Sequence, residues 1–340
     1  MTGYKNDRVQ LIDADDVCHA HIKAAVEQEA PAFIARIGGS DADAAVEYYD
    51  VFTAQGPEAA LTRAIEGFGI VKLFNGFYDR SSHPTEDDPA KIERFCRLLT
   101  DCYRACSDLF VVGAPWLTEF FPDNINPVFQ VDTTDVRAKL HKIIDAIAAS
   151  QNQVRLYPYS FVERLTLGRH TLFHVLSETL GGRRVLVVTP FAESIKVNFH
   201  RRHAFFPNYK YPNFDLVTYN TPITYHGLPS EFYPDEDWFA TLERIKQEVA
   251  CLDFDVALLS CGSYAMPLGL FIRDVMRRKA IYVGGCLQLY FGIMGRRYNN
   301  PFFIDQINTS AFILPVERER FLAHVKINPE TAREAFGAYF

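Results

Sequence analysis

Between Val185 and Val283 the chain alternates short, largely apolar runs with longer amphipathic segments, and this alternation limits what it can fold into. The runs Val185 to Val188, Leu216 to Tyr219, Phe254 to Leu259 and Ala280 to Val283 read as strands, the β-branched ones of the kind buried on both faces of a parallel sheet. Ala192 to Arg201, Asp235 to Ala250 and Tyr264 to Arg278 read as the helices between them. The acidic start of the second, Asp235, Glu236 and Asp237, complements a helix dipole. Strand and helix in strict alternation imply an α/β fold, Rossmann-like, with a mainly parallel sheet flanked by helices and right-handed crossovers.

The N-terminal third follows the same pattern with longer connections. Ala32 to Ile37 is an apolar run closed by Gly38 and Gly39, and Asp41 to Phe52 reads as the helix after it. Ile70 to Phe74 reads as a strand, Tyr78 to Asp88 as a polar loop, Lys91 to Cys106 as an amphipathic helix, Leu109 to Val112 as a strand and Val136 to Ala149 as a helix. Pro329 to Ala338 reads as a closing helix. A chain of 340 residues is read as one domain, 1–340, with an N-terminal subdomain over 1–150 and a Rossmann-like core over 180–300.

Composition narrows the function classes. With 48% hydrophobic and 23% charged residues the chain is neither disordered nor a disulfide scaffold. A formal charge of −7 argues against a nucleic-acid surface covering the protein, so no nucleic-acid partner is expected and any anion site is local. Seven cysteines form no C-x-x-C pair and fit reduced thiols in a cytoplasmic protein. Cys102 and Cys106 share a helix face and read as small buried hydrophobes. Met1 to Gln10 lacks the apolar stretch of a secretory signal. The longest apolar run, Tyr282 to Gly295, is too short and too interrupted by glycine to span a bilayer, although peripheral attachment to a membrane is compatible with it.

Ligands of open α/β sheets bind at the carboxyl ends of strands, and three clusters follow such ends. The first is Arg36, Gly38, Gly39, Ser40, Asp41 and Asp43: an arginine, glycines that admit close backbone approach, then two carboxylates two residues apart. Hard oxygen donors beside an arginine suit a divalent ion shared with a diphosphate, while Ser40 or Asp41 equally suits a plain helix cap. The second, Gly262, Ser263 and Tyr264, resembles an anion cradle at a helix start. The third runs through Gly284, Gly285 and Gln288 to Arg296 and Arg297. It lies in a stretch, 268–300, with six basic residues against one acid, a net charge of +5. Arginine forks for phosphate account for Arg296 and Arg297, and a solvated helix face accounts equally for Arg277 to Lys279. Glu193 follows the strand that ends at Thr189 and is placed as a general base, with a first-turn helix acid as the plain alternative. His200 with His203 lacks a third ligand and reads as surface. His226 and Glu231 lie in a loop suited to an acceptor wall. The G-x-S-x-G, P-loop and G-x-G-x-x-G patterns are absent, which weighs against hydrolase, P-loop and standard dinucleotide readings.

Taken together, FIARIGGSD from Phe33, VLVVTPFAESI from Val185, FDVALLSCGSYAMPLG from Phe254 and AIYVGGCLQLYFGIMGRRY from Ala280 resemble the GT-D-type glycosyltransferase-like proteins of polysaccharide and glycoprotein biosynthesis. The resemblance covers about two thirds of the chain in matching order, and the last two segments carry it most specifically. It implies a Rossmann-like sheet and transfer of a sugar from a nucleotide-sugar donor, a UDP-sugar first, to a glycan acceptor. It also implies a divalent metal, Mn²⁺ or Mg²⁺, beside an Arg-aromatic-Gly-Asp-x-Glu motif. Arg36 and Gly38 align with that motif, Ile37 replaces the aromatic, Gly39 stands at the Asp and Asp41 at the Glu, with Asp43 as a substitute carboxylate. On this reading Asp41 and Glu193 are catalytic, and Asp41 with Asp43 holds the metal. Arg36, Gly38, Gly39, Ser40, Gly262, Ser263, Tyr264, Gly284, Gly285, Gln288, Arg296 and Arg297 bind the nucleotide. The alternative that Gly39 motivates is a non-catalytic nucleotide- or glycan-binding protein with a degenerate metal motif. A Rossmann-type methyltransferase fits less well, because a glycine-rich first loop is not evident.

Overall fold

The computed structural model of the chain describes residues 6–38, 45, 55–56, 58–59, 76–80, 88–111, 134–165, 170–207, 209–224, 228 and 230–320. Eight strands form one sheet in the order β1-β4-β3-β2-β8-β7-β5-β6. They are β1 Val9–Leu11, β2 Ala32–Ile37, β3 Asp108–Val111, β4 Val154–Pro158, β5 Arg184–Thr189, β6 Asp215–Asn220, β7 Val256–Leu259 and β8 Lys279–Tyr282. Every pairing is parallel, so all carboxyl ends lie along one edge. The expected α/β Rossmann-like class is the observed one.

The centre of the sheet is the pairing of β2 with β8, in register Ala32 with Lys279, Phe33 with Ala280 and Ile34 with Ile281. Strand side chains alternate between faces, and the sequence is apolar on both. Phe33, Leu109, Leu186, Ala257 and Tyr282 belong to one core, with the helices Pro89–Arg104, Trp238–Ala250 and Ala265–Asp274. Ile34, Phe110, Val187, Leu258 and Ile281 belong to the other, with the helices Asp15–Glu27 and Leu172–Thr179. Burying each such side chain contributes about 1.5–3 kcal/mol, which is why the apolar runs settle as central strands. Gly269 lets its helix approach β2 closely, since a Cβ there would sit 2.3 Å from the Phe33 ring.

Several boundaries differ from the sequence reading for local reasons. The helix expected from Asp235 begins at Trp238, because Asp237 caps it by accepting from the Ala240 amide at 2.8 Å. Asp235 is instead held by Arg244 and Thr241, so the acids precede the first turn rather than fill it. The helix expected to reach Arg278 ends at Asp274, and Arg277 then takes a left-handed φ of 57°. Ala192–Asn198 is α-helical, and Phe199–Ala204 tightens into a 3₁₀ turn. The regions expected as a helix over 41–52, a strand over 70–74 and a helix over 329–338 lie outside the described residues. Among the described residues no helix is long and apolar enough to cross a membrane. Cys251 is exposed, the other six cysteines are buried, and none of the seven forms a disulfide.

Candidate functional site

Three strand ends converge on one arginine. Arg36 is the penultimate residue of β2, β8 ends in Tyr282, and Tyr159 follows β4 directly. From β2 the chain moves outward to β3, whereas β8 is reached from β7 on the opposite side, so a topological switch point falls between β2 and β8. The Arg36 guanidinium sits there, its carbon 4.5 Å from the centroid of the Tyr282 ring and 5.4 Å from that of Tyr159. Its Nη1 donates to the Tyr159 hydroxyl at 3.3 Å and Nη2 to the Tyr282 hydroxyl at 3.5 Å. Each tyrosine then donates to backbone, Tyr159 to the Val283 carbonyl at 2.6 Å and Tyr282 to the Gly262 carbonyl at 3.1 Å. One charged fork and two phenols thereby fasten the ends of β2, β4, β7 and β8.

Glycine is required beside that fork. Gly284 has φ +75°, and a Cβ built on it would lie 1.8 Å from Arg36 Nη1 and 3.1 Å from the Tyr159 hydroxyl. At Gly38 a Cβ would lie 3.1 Å from Arg36 Nη2. The left-handed Gly284 backbone flanks the guanidinium at a range no side chain permits, and Gly38 approaches it closely enough that a Cβ would make a tight contact. Burial holds the Tyr159 hydroxyl well above its usual range, the neighbouring Cys286 adds to this, and Arg36 opposes it. Burial likewise pushes the Cys286 thiol up, reinforced by Glu163 and opposed by Arg297, Tyr298 and Arg36. A thiol so raised is not a nucleophile at neutral pH.

The structure brings together Arg36, Gly38, Gly284, the Gly262 carbonyl and Arg297, whose charge acts on both Tyr159 and Cys286. It separates others from them. Arg296 is exposed and Gly285 half-buried. Gln288 is buried, and its amide donates to the Ile293 carbonyl at 3.4 Å. The Ser263 hydroxyl accepts from the Trp238 indole at 3.0 Å, and Tyr264 stacks on Trp238 with ring centroids 4.9 Å apart. Both side chains are therefore spent on the core, and any ligand contact there falls to backbone. Glu193 is exposed and ion-paired with Lys196 at 2.8 Å. His200, His203 and Glu231 are also exposed. Gly39, Ser40, Asp41, Asp43 and His226 lie outside the described residues. Among the described residues no group of three or more His, Cys, Asp or Glu side chains is placed to hold a metal ion.

Sequence reasoning missed Tyr159, Tyr282 and Glu163. Tyr282 stood within an expected strand, and its role lies in its hydroxyl reaching the next turn. Tyr159 follows a strand whose Val154 to Pro158 stretch is interrupted by Arg155 and carries no clean apolar run. Glu163 is 3% exposed, and nothing in sequence marks a glutamate as buried.

Fold and site together define a Rossmann-like α/β protein with an arginine clamped at its central switch point. No protein-family model, curated protein or solved structure matches the chain.

Proposed function

We propose that the protein is a glycosyltransferase that takes a nucleotide-sugar, a UDP-sugar first, and transfers the sugar to a glycan acceptor in polysaccharide or glycoconjugate biosynthesis. The observation that carries this reading is the Arg36 guanidinium, held by two tyrosines and flanked by Gly38 and the left-handed Gly284 at the β2–β8 switch point. Negative charge develops on a diphosphate leaving group as the glycosidic bond to the donor breaks, and a preorganised cation stabilises it without reorganisation. Arg36 supplies that charge in a fork geometry matched to phosphate, and Arg297 adds a second charge beside Tyr159. The amide groups after Gly284 meet the same oxygens at close range.

Asp41 and Asp43, three and five residues beyond Gly38 in the sequence, carry the hard oxygen donors that a divalent cation prefers and would hold Mn²⁺ or Mg²⁺ in this reading. That ion, when bound, supplies further positive charge to the diphosphate. Glu193 is the base that deprotonates the acceptor hydroxyl in this reading, and its pair with Lys196 must part for it to do so. It follows β5, three strand spacings from β2, a separation of about 14 Å that spans a diphosphate and a sugar ring. A cytoplasmic location, with no nucleic-acid partner, accords with the thiols and the charge.

The test is nucleotide release across UDP-, GDP- and dTDP-sugars with several glycan acceptors, with and without Mn²⁺ or Mg²⁺. Release from one donor, abolished by Asp41→Ala, is the expected result. Gly39 at the motif's carboxylate position favours a second reading, a nucleotide- or glycan-binding protein without catalysis. Tight calorimetric binding of a UDP-sugar without turnover, unchanged in Asp41→Ala, decides for it.

A further inference from the structure

The two edges of the sheet are β1 and β6. The first has three residues, and so short a strand offers little for another chain to pair with. The second, Asp215–Asn220, has six, and its ladder with β5 runs without a bulge from Arg184 with Asp215 to Thr189 with Asn220. Its sequence, DLVTYN, contains neither the lysine nor the proline that ordinarily blunts such an edge, and its one charge, Asp215, stands at the amino end. At either end of β6 an amide bonds to β5: Asp215 donates to the Arg183 carbonyl at 2.9 Å and Thr221 to the Thr189 carbonyl at 3.1 Å. Strand geometry repeats every two residues, so Val217 and Tyr219 also turn their main-chain groups to β5, while Leu216, Thr218 and Asn220 turn theirs away from the sheet. Among the described residues nothing hydrogen-bonds to those three from the outer side. The strand is firmly seated nonetheless: Leu216 packs on one core, Val217 and Tyr219 pack on the other, and the Tyr219 hydroxyl donates to Glu248 at 2.5 Å.

We propose that β6 is a self-complementary edge at which two copies of the chain pair antiparallel, about a two-fold axis beside Thr218, into one sheet that spans both molecules. In an antiparallel pair, directly opposed residues either both bond across the seam or both turn away from it. The outward set of Leu216, Thr218 and Asn220 must therefore meet itself, which places Thr218 opposite its own copy and Leu216 opposite Asn220. The same register sets Val217 against Tyr219 on both sides of the axis, and Asp215 against Thr221. Threonine pairs and β-branched–aromatic pairs are favourable cross-strand neighbours, and no like charges are opposed. Shifting the register in either direction leaves an outward residue facing Phe214 or Pro222, beyond the strand. The paired strands run in opposite directions, so the two carboxyl edges point apart and each Arg36 clamp is complete within one chain. The pairing is thus independent of the glycosyltransferase reading.

Sedimentation velocity of the full chain tests this. Wild type is expected to sediment with the mass of two chains at about 10 µM, since a seam made mainly of main-chain bonds falls at the weak end of protein–protein affinities. Thr218→Pro removes an amide that β5 does not use, and Thr218→Lys sets two like charges face to face on the axis. Both are expected to sediment as single chains, with melting temperatures close to that of wild type. Mixing Thr218→Lys with Thr218→Glu is expected to restore the two-chain mass, because an antiparallel pairing centred on position 218 brings the opposite charges together. The mixing carries the comparison should Thr218→Pro fail to fold. A wild type that sediments as one chain at that concentration overturns the proposal. So does a two-chain mass that persists in folded Thr218→Lys, or failure of the two charge variants to associate on mixing.

Discussion

Arg36 is fixed more by what is missing around it than by what touches it. Its two hydrogen bonds to tyrosine, at 3.3 and 3.5 Å, are long, whereas the space at Gly284 is filled to within 1.8 Å of a hypothetical methyl. Gly284→Ala is therefore expected to act twice. A non-glycine residue at φ +75° costs about 1–2 kcal/mol, and the methyl expels the guanidinium from its seat. Urea denaturation should show a destabilisation of at least that size, and UDP affinity should fall by about tenfold or more. A variant that keeps wild-type affinity while losing stability would show that Arg36 does not meet the ligand. At this scale the sequence was informative where it placed an arginine near the end of an apolar run, as at Arg36, or a glycine directly after one, as at Gly38 and Gly284. It was silent on Tyr159 and Glu163, because a four-residue helix carries no periodicity and burial of a carboxylate is set by neighbours distant in the chain. Ser263 and Tyr264 show the converse: they follow a strand as expected, yet Trp238 from another helix claims both side chains.

Elements missed in the sequence are the short or weakly patterned ones. The strand β1 has three residues, and the helix Asp15–Glu27 buries only Cys18, His19, Ile22 and Val26, a stripe in which a histidine and a cysteine replace the usual aliphatic residues. That helix rests on Leu172–Thr179 through polar groups. His19 lies 3.2 Å from the Glu178 carboxylate and edge-on to His170 at 5.1 Å, Lys23 pairs with Glu178 at 2.7 Å, and His174 bonds to Thr171 at 2.8 Å. Burial holds His174 below its ordinary value of 6.5, and the neighbouring His19 and His170 add to this while Glu178 opposes. The unfolded chain thus takes up the proton first as the medium acidifies. Stability from this group is undiminished well above pH 6.5 and is lost as pH falls through 6.5 toward the lower folded value. Glu178 is itself held below its usual range, chiefly by its bond to Lys23, so its contribution is lost only in stronger acid. Melting temperature measured from pH 7.5 to 5.5 should decline, and the decline should be shallower in His174→Gln, which keeps a hydrogen-bonding group near Thr171. An equal slope in both proteins would exclude His174 as the titrating group.

At the scale of the molecule, the N-terminal and C-terminal halves of the chain each supply four of the described strands, and the sheet joins them through β2 with β8. Such a layout suggests two modules meeting at a seam, but the cores argue otherwise. Each face of the sheet carries one continuous apolar cluster drawn from both halves: Phe33 and Leu109 with Leu186 and Ala257 on one side, Ile34 and Phe110 with Val187 and Leu258 on the other. The helix Ala265–Asp274 belongs to the second half, yet it seats Gly269 on Phe33 of the first, and Arg273 donates to the Ala105 carbonyl at 2.9 Å. The Arg36 clamp ties β2 and β4 to β7 and β8 from the carboxyl edge. Cutting the chain at the exposed turn Gly181–Gly182 leaves the fragment 181–340 with β8, paired to β7 alone, as a bare edge strand, an open apolar face on each side and Tyr282 without its arginine. Exposed strand edges of that kind template aggregation rather than fold alone. The fragment is therefore expected to lack near-ultraviolet circular dichroism and a cooperative thermal transition. Mixing it with 1–180 should restore both, because the two pieces together contain every pairing of the sheet. A cooperative transition in 181–340 alone would instead establish the second half as an independent Rossmann-like module, and would place the arginine clamp at a true domain interface.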